Sequence, residues 1–189
     1  MSKKIFGGVD EVGRGCLAGP VVSCALILKK NINKRFLKDS KAINFKDRIK
    51  IAKHIKKNSW YAIGSASVNE IDKYNIFNAT LLSMERAIKK LKKKPHIFLV
   101  DGTHSPKKLK NSKTVIKGDQ KIKCISAASI VAKVYRDLYM IKLGNKFPQY
   151  KWHKNFGYGT WQHLVALKKF GVTSYHRKSY RPVHNILIK

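Results

Sequence analysis

Residues 21–28, Val-Val-Ser-Cys-Ala-Leu-Ile-Leu, carry one hydroxyl among eight side chains. A run so short and so apolar is a strand with no face for water. It needs a packed layer on each side, which limits the chain to folds that cover a sheet on both faces. The flanking pattern supplies those layers. Residues 5–12 read as a preceding strand, joined through Gly13, Gly15, Gly19 and Pro20. Residues 45–57 read as a helix with Phe45, Ile49, Ala52 and Ile55 on one face, and residues 60–67 as a third strand. Residues 78–92 place Leu81, Met84, Ile88 and Leu91 at helical spacing. Short strands follow at 97–100 and 114–117. A long helix over 126–143 then begins with Ala127, Ala128 and Ala132, which permit close packing on a sheet. Thr160 is placed to cap a helix running through Phe170, with Gly171 as its stop. Two strands, then alternating helices and strands, then helices give an α/β class: a mixed sheet with a leading hairpin and helices on its faces.

The length of 189 residues suits one domain spanning 1–189. Charge bounds the function more tightly. The chain has 41 Lys+Arg against 10 Asp+Glu, a formal net charge of +31, and only short basic runs such as residues 89–94. A surface of this kind meets a polyanion, and nucleic acid is the expected partner. A Lys-rich compositional bias accounts for part of the charge, but it does not explain the scarcity of acids. Hydrophobic content of 43% excludes a disordered basic tail. Cys16, Cys24 and Cys124 form no CxxC pair and are odd in number. That argues against a zinc site or disulfide framework and for buried thiols in a reducing compartment. The sequence shows no signal peptide and no apolar run near the ~20 residues of a membrane span. A cytoplasmic monomer is expected.

Scarce acids call for an explanation of each one. A carboxylate in a phosphate-binding protein repels its own ligand unless it holds a cation beside the phosphate. Asp10 and Glu11 sit late in the first strand, Asp101 ends the fourth, and Asp119 follows Lys117-Gly118 before the long helix. Ligands of open α/β sheets bind at strand ends. Neighbouring strand residues point to opposite faces, so Asp10 and Glu11 share a site only where the strand ends or bulges. Spacing alone leaves a joint metal site and four separate structural carboxylates evenly matched. The remaining acids have simpler readings. Asp47, Glu70, Asp72 and Glu85 are solvated or capping, Asp39 orients a turn, and Asp137 makes an ion pair on or beside the long helix.

The block Gly8-Val9-Asp10-Glu11-Val12-Gly13-Arg14-Gly15-Cys16-Leu17-Ala18-Gly19-Pro20-Val21-Val22 resembles the opening signature of ribonuclease HII, the type 2 ribonuclease H family. Asp39-Ser40-Lys41, Val100-Asp101-Gly102, Lys117-Gly118-Asp119, residues 126–137, Gly157-Tyr158-Gly159-Thr160, His163 and His176-Arg177 extend the likeness, in order, over nearly the whole chain. The resemblance implies a ribonuclease-H-like fold: a five-stranded mixed sheet flanked by helices, with a small helical C-terminal part over 145–189 that binds substrate. It implies an endonuclease that hydrolyses the RNA strand of RNA–DNA hybrids and cuts 5′ of single ribonucleotides in duplex DNA. The products would be a 3′-hydroxyl and a 5′-phosphate, in primer and ribonucleotide removal during replication and repair.

The family's four acids map onto Asp10, Glu11, Asp101 and Asp119, as catalytic residues and as ligands of Mg²⁺ or Mn²⁺. Two such ions about 3.5–4 Å apart activate the water and relieve charge on the phosphate. Asp10 and Asp101 are expected to bridge or flank the ions, with Glu11 and Asp119 holding one each. The resemblance assigns recognition of the 2′-hydroxyl to Gly13, Arg14, Gly15 and Tyr158. Glycines admit the sugar closely and a guanidinium can fork onto a phosphate. Backbone contacts are expected from Ser40, Lys41, Asn44, Lys133, His163 and Arg177. Taken singly, Tyr158 also reads as an aromatic packed under its turn glycines, and any lone lysine as a solvated one.

The chain departs from the family pattern in places. Phe156 stands where a basic residue often precedes the Gly-Tyr pair, and Ser179-Tyr180 replaces the commoner Ser-Phe. The chain ends at Lys189, soon after His176-Arg177, and no further domain precedes the first strand, which disfavours the type 3 enzymes. A non-catalytic basic nucleic-acid-binding protein is the alternative, and such a protein has no use for carboxylates at its phosphate site.

Overall fold

A computed structural model describes residues 4–29, 37 and 44–188. Asp39, Ser40 and Lys41 lie outside the described residues. Five strands form one mixed sheet in the order β3-β2-β1-β4-β5: β1 (Phe6–Val12), β2 (Val21–Leu28), β3 (Ser59–Ala66), β4 (Ile97–Asp101) and β5 (Ser112–Val115). β1 pairs antiparallel with β2 and β2 antiparallel with β3, while β1–β4 and β4–β5 are parallel. The described helices are α1 (Phe45–Lys57), α2 (Val68–Lys90), α3 (Gly118–Lys121), α4 (Lys123–Lys146), α5 (Trp152–Asn155), α6 (Trp161–Phe170) and α7 (Arg181–Leu187). This is the α/β architecture expected from the pattern.

The apolar run is β2, an interior strand buried along all but its last residue. Its alternating side chains enter two different cores. Cys24 and Leu26 pack with Ala52 and Ile55 of α1 and with the alanines of α4. Ala25 and Ile27 pack with Met84, Ala87 and Ile88 of α2. Burial on both faces therefore follows from one helical layer on each side of the sheet.

Local signals set the helix ends. The Asn44 side chain accepts from the Asp47 amide at 3.0 Å and starts α1. Thr160 caps α6 and Gly171 follows its end, as expected. α2 begins ten residues before the helix expected over 78–92. Ser67 and Glu70 form a reciprocal capping box there. Glu70 also pairs with Arg86 at 2.6 Å, and its hydrogen bond to that guanidinium holds its carboxyl down to about 2. Asn75 has a positive φ of 64° inside α2. That break puts the first two turns out of phase with the later stripe, which hides them from a periodicity reading.

α4 reaches β1 only because Gly8 has no side chain. A β-carbon at Gly8 would stand 2.2 Å from the Cys124 carbonyl group. The early small residues of α4 extend this close approach along β1 and β2. After α4, a 3-10 turn (Pro148–Tyr150) and the last helices pack around Tyr150, Trp152, Leu167 and Val183. Leu17 and Ala18, from the loop between β1 and β2, share that same core. Cys16, Cys24 and Cys124 are free and buried. Among the described residues, no helix is long and apolar enough to cross a membrane.

Candidate active site

β1 and β4 run parallel in a register that pairs Val9 with Val100. Both valines enter the core under α2. The next residue on each strand, Asp10 and Asp101, turns the other way, toward α4. The two carboxylates thus stand side by side at the C-terminal ends of their strands. Asp10 accepts hydrogen bonds from the Glu11 amide at 2.7 Å and from Ser129 of α4. Pairing of β1 with β2 continues through Val12↔Val22, so no bulge brings Glu11 round. Its carboxylate lies toward α2, bordering a cleft with Phe77 and Met84, yet it also faces Asp10's cleft, because β4 ends beside it. Asp101 Oδ1 accepts from the amides of Gly118 (2.6 Å) and Asp119 (3.3 Å). One strand-end acid thereby fixes the turn that carries the fourth, helped by Lys117 at φ 53°.

A cleft of about 470 Å³ collects all four acids, with Gly13, Arg14, Gly15, Lys133 and Tyr158 on its walls. Asp10 is only 4% exposed. Burial, then the charges of Glu11 and Asp101, pushes its carboxyl well above the usual range. Burial raises Glu11 as well, against the pull of Arg14, whose guanidinium lies 3.4 Å away. Burial disfavours the charged form of Asp10 and Glu11, even with Arg14, Arg48 and Lys133 on the cleft walls, so a cation bound between these carboxylates would draw their protons off. Hard oxygen donors of this kind fit a divalent cation. Among the described residues, no three His, Cys, Asp or Glu side chains are already gathered closely enough to hold an ion.

Other expected site residues fall in different places. Lys133 donates to Asp137 at 2.8 Å and lies over the rings of Phe156 and Tyr158 at 5.0 and 5.7 Å. Asp137 also meets Arg48 of α1 at 3.7 Å, so it makes both the i,i+4 and the inter-helix pair expected of it. Phe156, the departure from the family pattern, gives Lys133 an aromatic face in place of a second charge. Asn44 is engaged in capping α1 and does not line the cleft.

His163 and Arg177 are completely buried, which differs from the direct backbone contacts expected of them. Their partners are the loops that form the cleft. His163 Nδ1 lies 2.9 Å from the Tyr158 carbonyl, and a carbonyl can only accept, so Nδ1 carries the proton. Nε2 must then accept, from Trp152 Nε1–H at 3.0 Å and from His176 Nε2–H at 3.1 Å. His176 Nδ1 accepts from the Thr173 amide at 3.0 Å. The network is closed only when both rings are neutral. Burial lowers both pKa values, and the neighbouring His163 helps take His176 down to about 3.

The unfolded chain binds these protons near pH 6.5 and the folded chain does not. Their stabilisation is therefore complete above about pH 6.5 and is lost progressively as pH falls toward 3. The melting temperature should drop between pH 6.5 and 4. His176→Gln, although less stable at neutral pH, should drop less over that window. Parallel melting curves for the two proteins would remove the histidine pair as the cause.

Three residues of this region escaped the sequence reading: Ser129, Arg48 and Arg136. Arg136 left a usable signal. Ala128, Ala132, Arg136 and Met140 recur every four residues, and all four are buried, so a charge interrupts the apolar stripe of α4.

Comparison with known proteins gives a consistent outcome. The family model described as Ribonuclease HII matches residues 7–183. A ribonuclease HII of Pelagibacter ubique (strain HTCC1062) is 55% identical over 186 residues, covering 97% of this chain and 100% of that protein. The crystal structure of ribonuclease H2 from Pyrococcus horikoshii OT3 superposes with a TM-score of 0.82 at 26% identity, over 96% of each chain. A Bst-RNase HIII crystallised in complex with Mn²⁺ shares the fold at a TM-score of 0.77 and 15% identity, over 98% of this chain and 70% of that one.

Proposed function

The chain belongs to the ribonuclease HII family, and from that premise we propose that it cuts 5′ of single ribonucleotides embedded in duplex DNA as well as within RNA–DNA hybrids. It is a ribonuclease H, an endonuclease acting on the RNA strand. One observation carries the finer reading. The four acids suited to phosphodiester hydrolysis share a cleft with the residues suited to reading a ribose.

Bound Mg²⁺ or Mn²⁺, as two ions, would supply an activated water and neutralise charge on the scissile phosphate. The same fold carries Mn²⁺ in the Bst-RNase HIII complex. Asp10, Glu11, Asp101 and Asp119 are the residues that would hold the ions, with Asp10 and Asp101 adjacent across the parallel strands. The backbone of Gly13, Arg14 and Gly15 lies against the ribose and selects the 2′-hydroxyl. The Tyr158 ring, about two-fifths exposed at the cleft wall, stacks on the following deoxyribose. Lys133 faces a phosphate, the basic surface follows the duplex backbone, and Ser40, Lys41 and Asn44 add backbone contacts. His163 and Arg177 position the two recognition loops. Residues 145–189 act as the substrate-binding part by presenting Tyr158. The products carry a 3′-hydroxyl and a 5′-phosphate. The protein works as a monomer in the cytoplasm, on ribonucleotides and primers left in DNA.

The test is cleavage of an end-labelled DNA duplex carrying one ribonucleotide, with Mg²⁺ or Mn²⁺ and with chelator. A metal-dependent cut on the 5′ side of the ribonucleotide is expected. Cleavage of a long hybrid but not of this duplex would overturn the single-ribonucleotide reading. Substrate affinity should also fall steeply with salt, with a log–log slope of roughly −0.9 per phosphate contacted.

A further inference from the structure

Arg136 is a cation with 0% exposure in the middle of α4, and its guanidinium is directed at main chain. Nε donates to the Pro20 carbonyl at 2.9 Å, Nη1 to Phe156 at 2.9 Å and Nη2 to Ala18 at 3.0 Å. Pro20 and Ala18 belong to the loop after β1, and Phe156 stands two residues before Tyr158. One planar fork therefore joins the two segments that form the ribose side of the cleft. Gly13 lies directly on the fork: its φ is +91°, and a β-carbon there would stand 2.1 Å from Nε of Arg136. Stability alone does not favour this choice. A buried cation carries a heavy desolvation cost, and an apolar residue would continue the stripe of Ala132 and Met140 without it.

Arg177 and Tyr180 hold the same loop from its other side. Arg177 Nη2 donates to the Gly13 carbonyl at 2.6 Å and Nη1 to the Arg14 carbonyl at 2.7 Å. The Tyr180 hydroxyl, which the commoner phenylalanine lacks, donates to the Arg14 carbonyl at 2.5 Å and accepts from Arg177 Nη1 at 3.0 Å. A trans peptide points its C=O and the next N–H in opposite directions. With the carbonyls of Gly13 and Arg14 held toward Arg177, the amides of Arg14 and Gly15 point away from it. Both residues line the cleft.

We propose that Arg136 and Tyr180 are positioning residues for ribose recognition, fixing the 13–15 main chain relative to Tyr158 so that consecutive amide donors meet the 2′-hydroxyl. The proposal rests on the reading that this loop recognises a ribonucleotide. Lysine at 136 keeps the charge but offers one donor centre, which cannot reach three separated carbonyls. Phenylalanine at 180 removes a single hydroxyl.

The experiment measures kcat/KM for a duplex carrying one ribonucleotide and for the same duplex carrying a 2′-fluoro nucleotide at that position. The ratio reports the 2′-hydroxyl contact and is independent of how much protein is folded. Relative to the unmodified protein, the ratio should fall about tenfold in Arg136→Lys and about threefold in Tyr180→Phe. An unchanged ratio in Arg136→Lys would reduce that arginine to a packing role and overturn the proposal. Should Arg136→Lys not fold, an unchanged ratio in Tyr180→Phe decides against it. Failure of the unmodified protein to cut the ribonucleotide duplex is a different result, and it removes the underlying reading of the loop.

Discussion

Asp101→Asn is expected to abolish cleavage, by on the order of 10³-fold or more, while leaving the fold intact. This carboxylate has two separable jobs. Asp101 Oδ1 accepts from the amides of Gly118 and Asp119, and an asparagine oxygen can do the same. The negative charge beside Asp10 is what the substitution removes. In chelator the variant should melt no lower than the unmodified protein, because a repulsive neighbour of a buried carboxylate has gone. Its melting temperature should no longer respond to Mn²⁺, since an ion that binds only the folded site stabilises through that site. Asp101→Ala should behave differently. It strands two amides and frees the Asp119 turn, so about 1–3 kcal/mol of stability should be lost along with activity. Single-turnover cleavage and melting curves with and without metal distinguish the cases. Cleavage by Asp101→Asn within tenfold of the unmodified rate would take Asp101 out of the metal set.

Gly8→Ala should be among the most destabilising single methyl additions this chain can receive. The added carbon would meet Cys124 main chain at 2.2 Å, which no side-chain rotation relieves. α4 would have to lift from β1, opening the core under Ala127, Ala128 and Ala132. A loss above about 3 kcal/mol is expected, on the order of 10 °C in melting temperature for a chain of this size. Activity should fall with it, because α4 carries Ser129 and Lys133 into the cleft that β1 supplies with acids. Gly15→Ala is the control: its β-carbon would meet nothing within 4 Å, so its melting temperature should stay unchanged. A Gly8→Ala protein that melts normally would mean that the helix is not held at this distance from the strand.

Much of this is legible in the sequence alone. The apolar run at 21–28 implied a strand covered on both sides, since eight consecutive side chains without a polar face cannot border water. Thr160 and Gly171 marked the two ends of one helix through capping chemistry that acts over three or four residues. The four acids drew attention by scarcity in a chain with a net charge of +31, and by their places at strand ends. Signals of this kind are local or compositional, so they survive in one dimension.

Other features exist only once distant segments meet. The spacing of Asp10 and Glu11 allows a shared site at a strand end or a bulge of β1 but does not choose; β1 pairs unbroken through Val12, and Glu11 reaches Asp10's cleft because β4 stops beside it. Glu70 does cap, as one of its two readings had it, but the helix it starts with Ser67 is hidden because Asn75 breaks the helical phase. His163 and Arg177 sit in motifs that suggest contact with substrate, yet both are buried and bond instead to the carbonyls of Tyr158, Gly13 and Arg14. Arg136 is the clearest case: its three carbonyl partners lie 20 to 118 residues away in sequence. A polar group's role is set by what lies within about 3 Å of it, and for a buried one that shell comes from the whole chain. Residue type and order determined which chemistry this chain can perform. Packing alone decided which residues line the cleft and which bond to its loops from within the core.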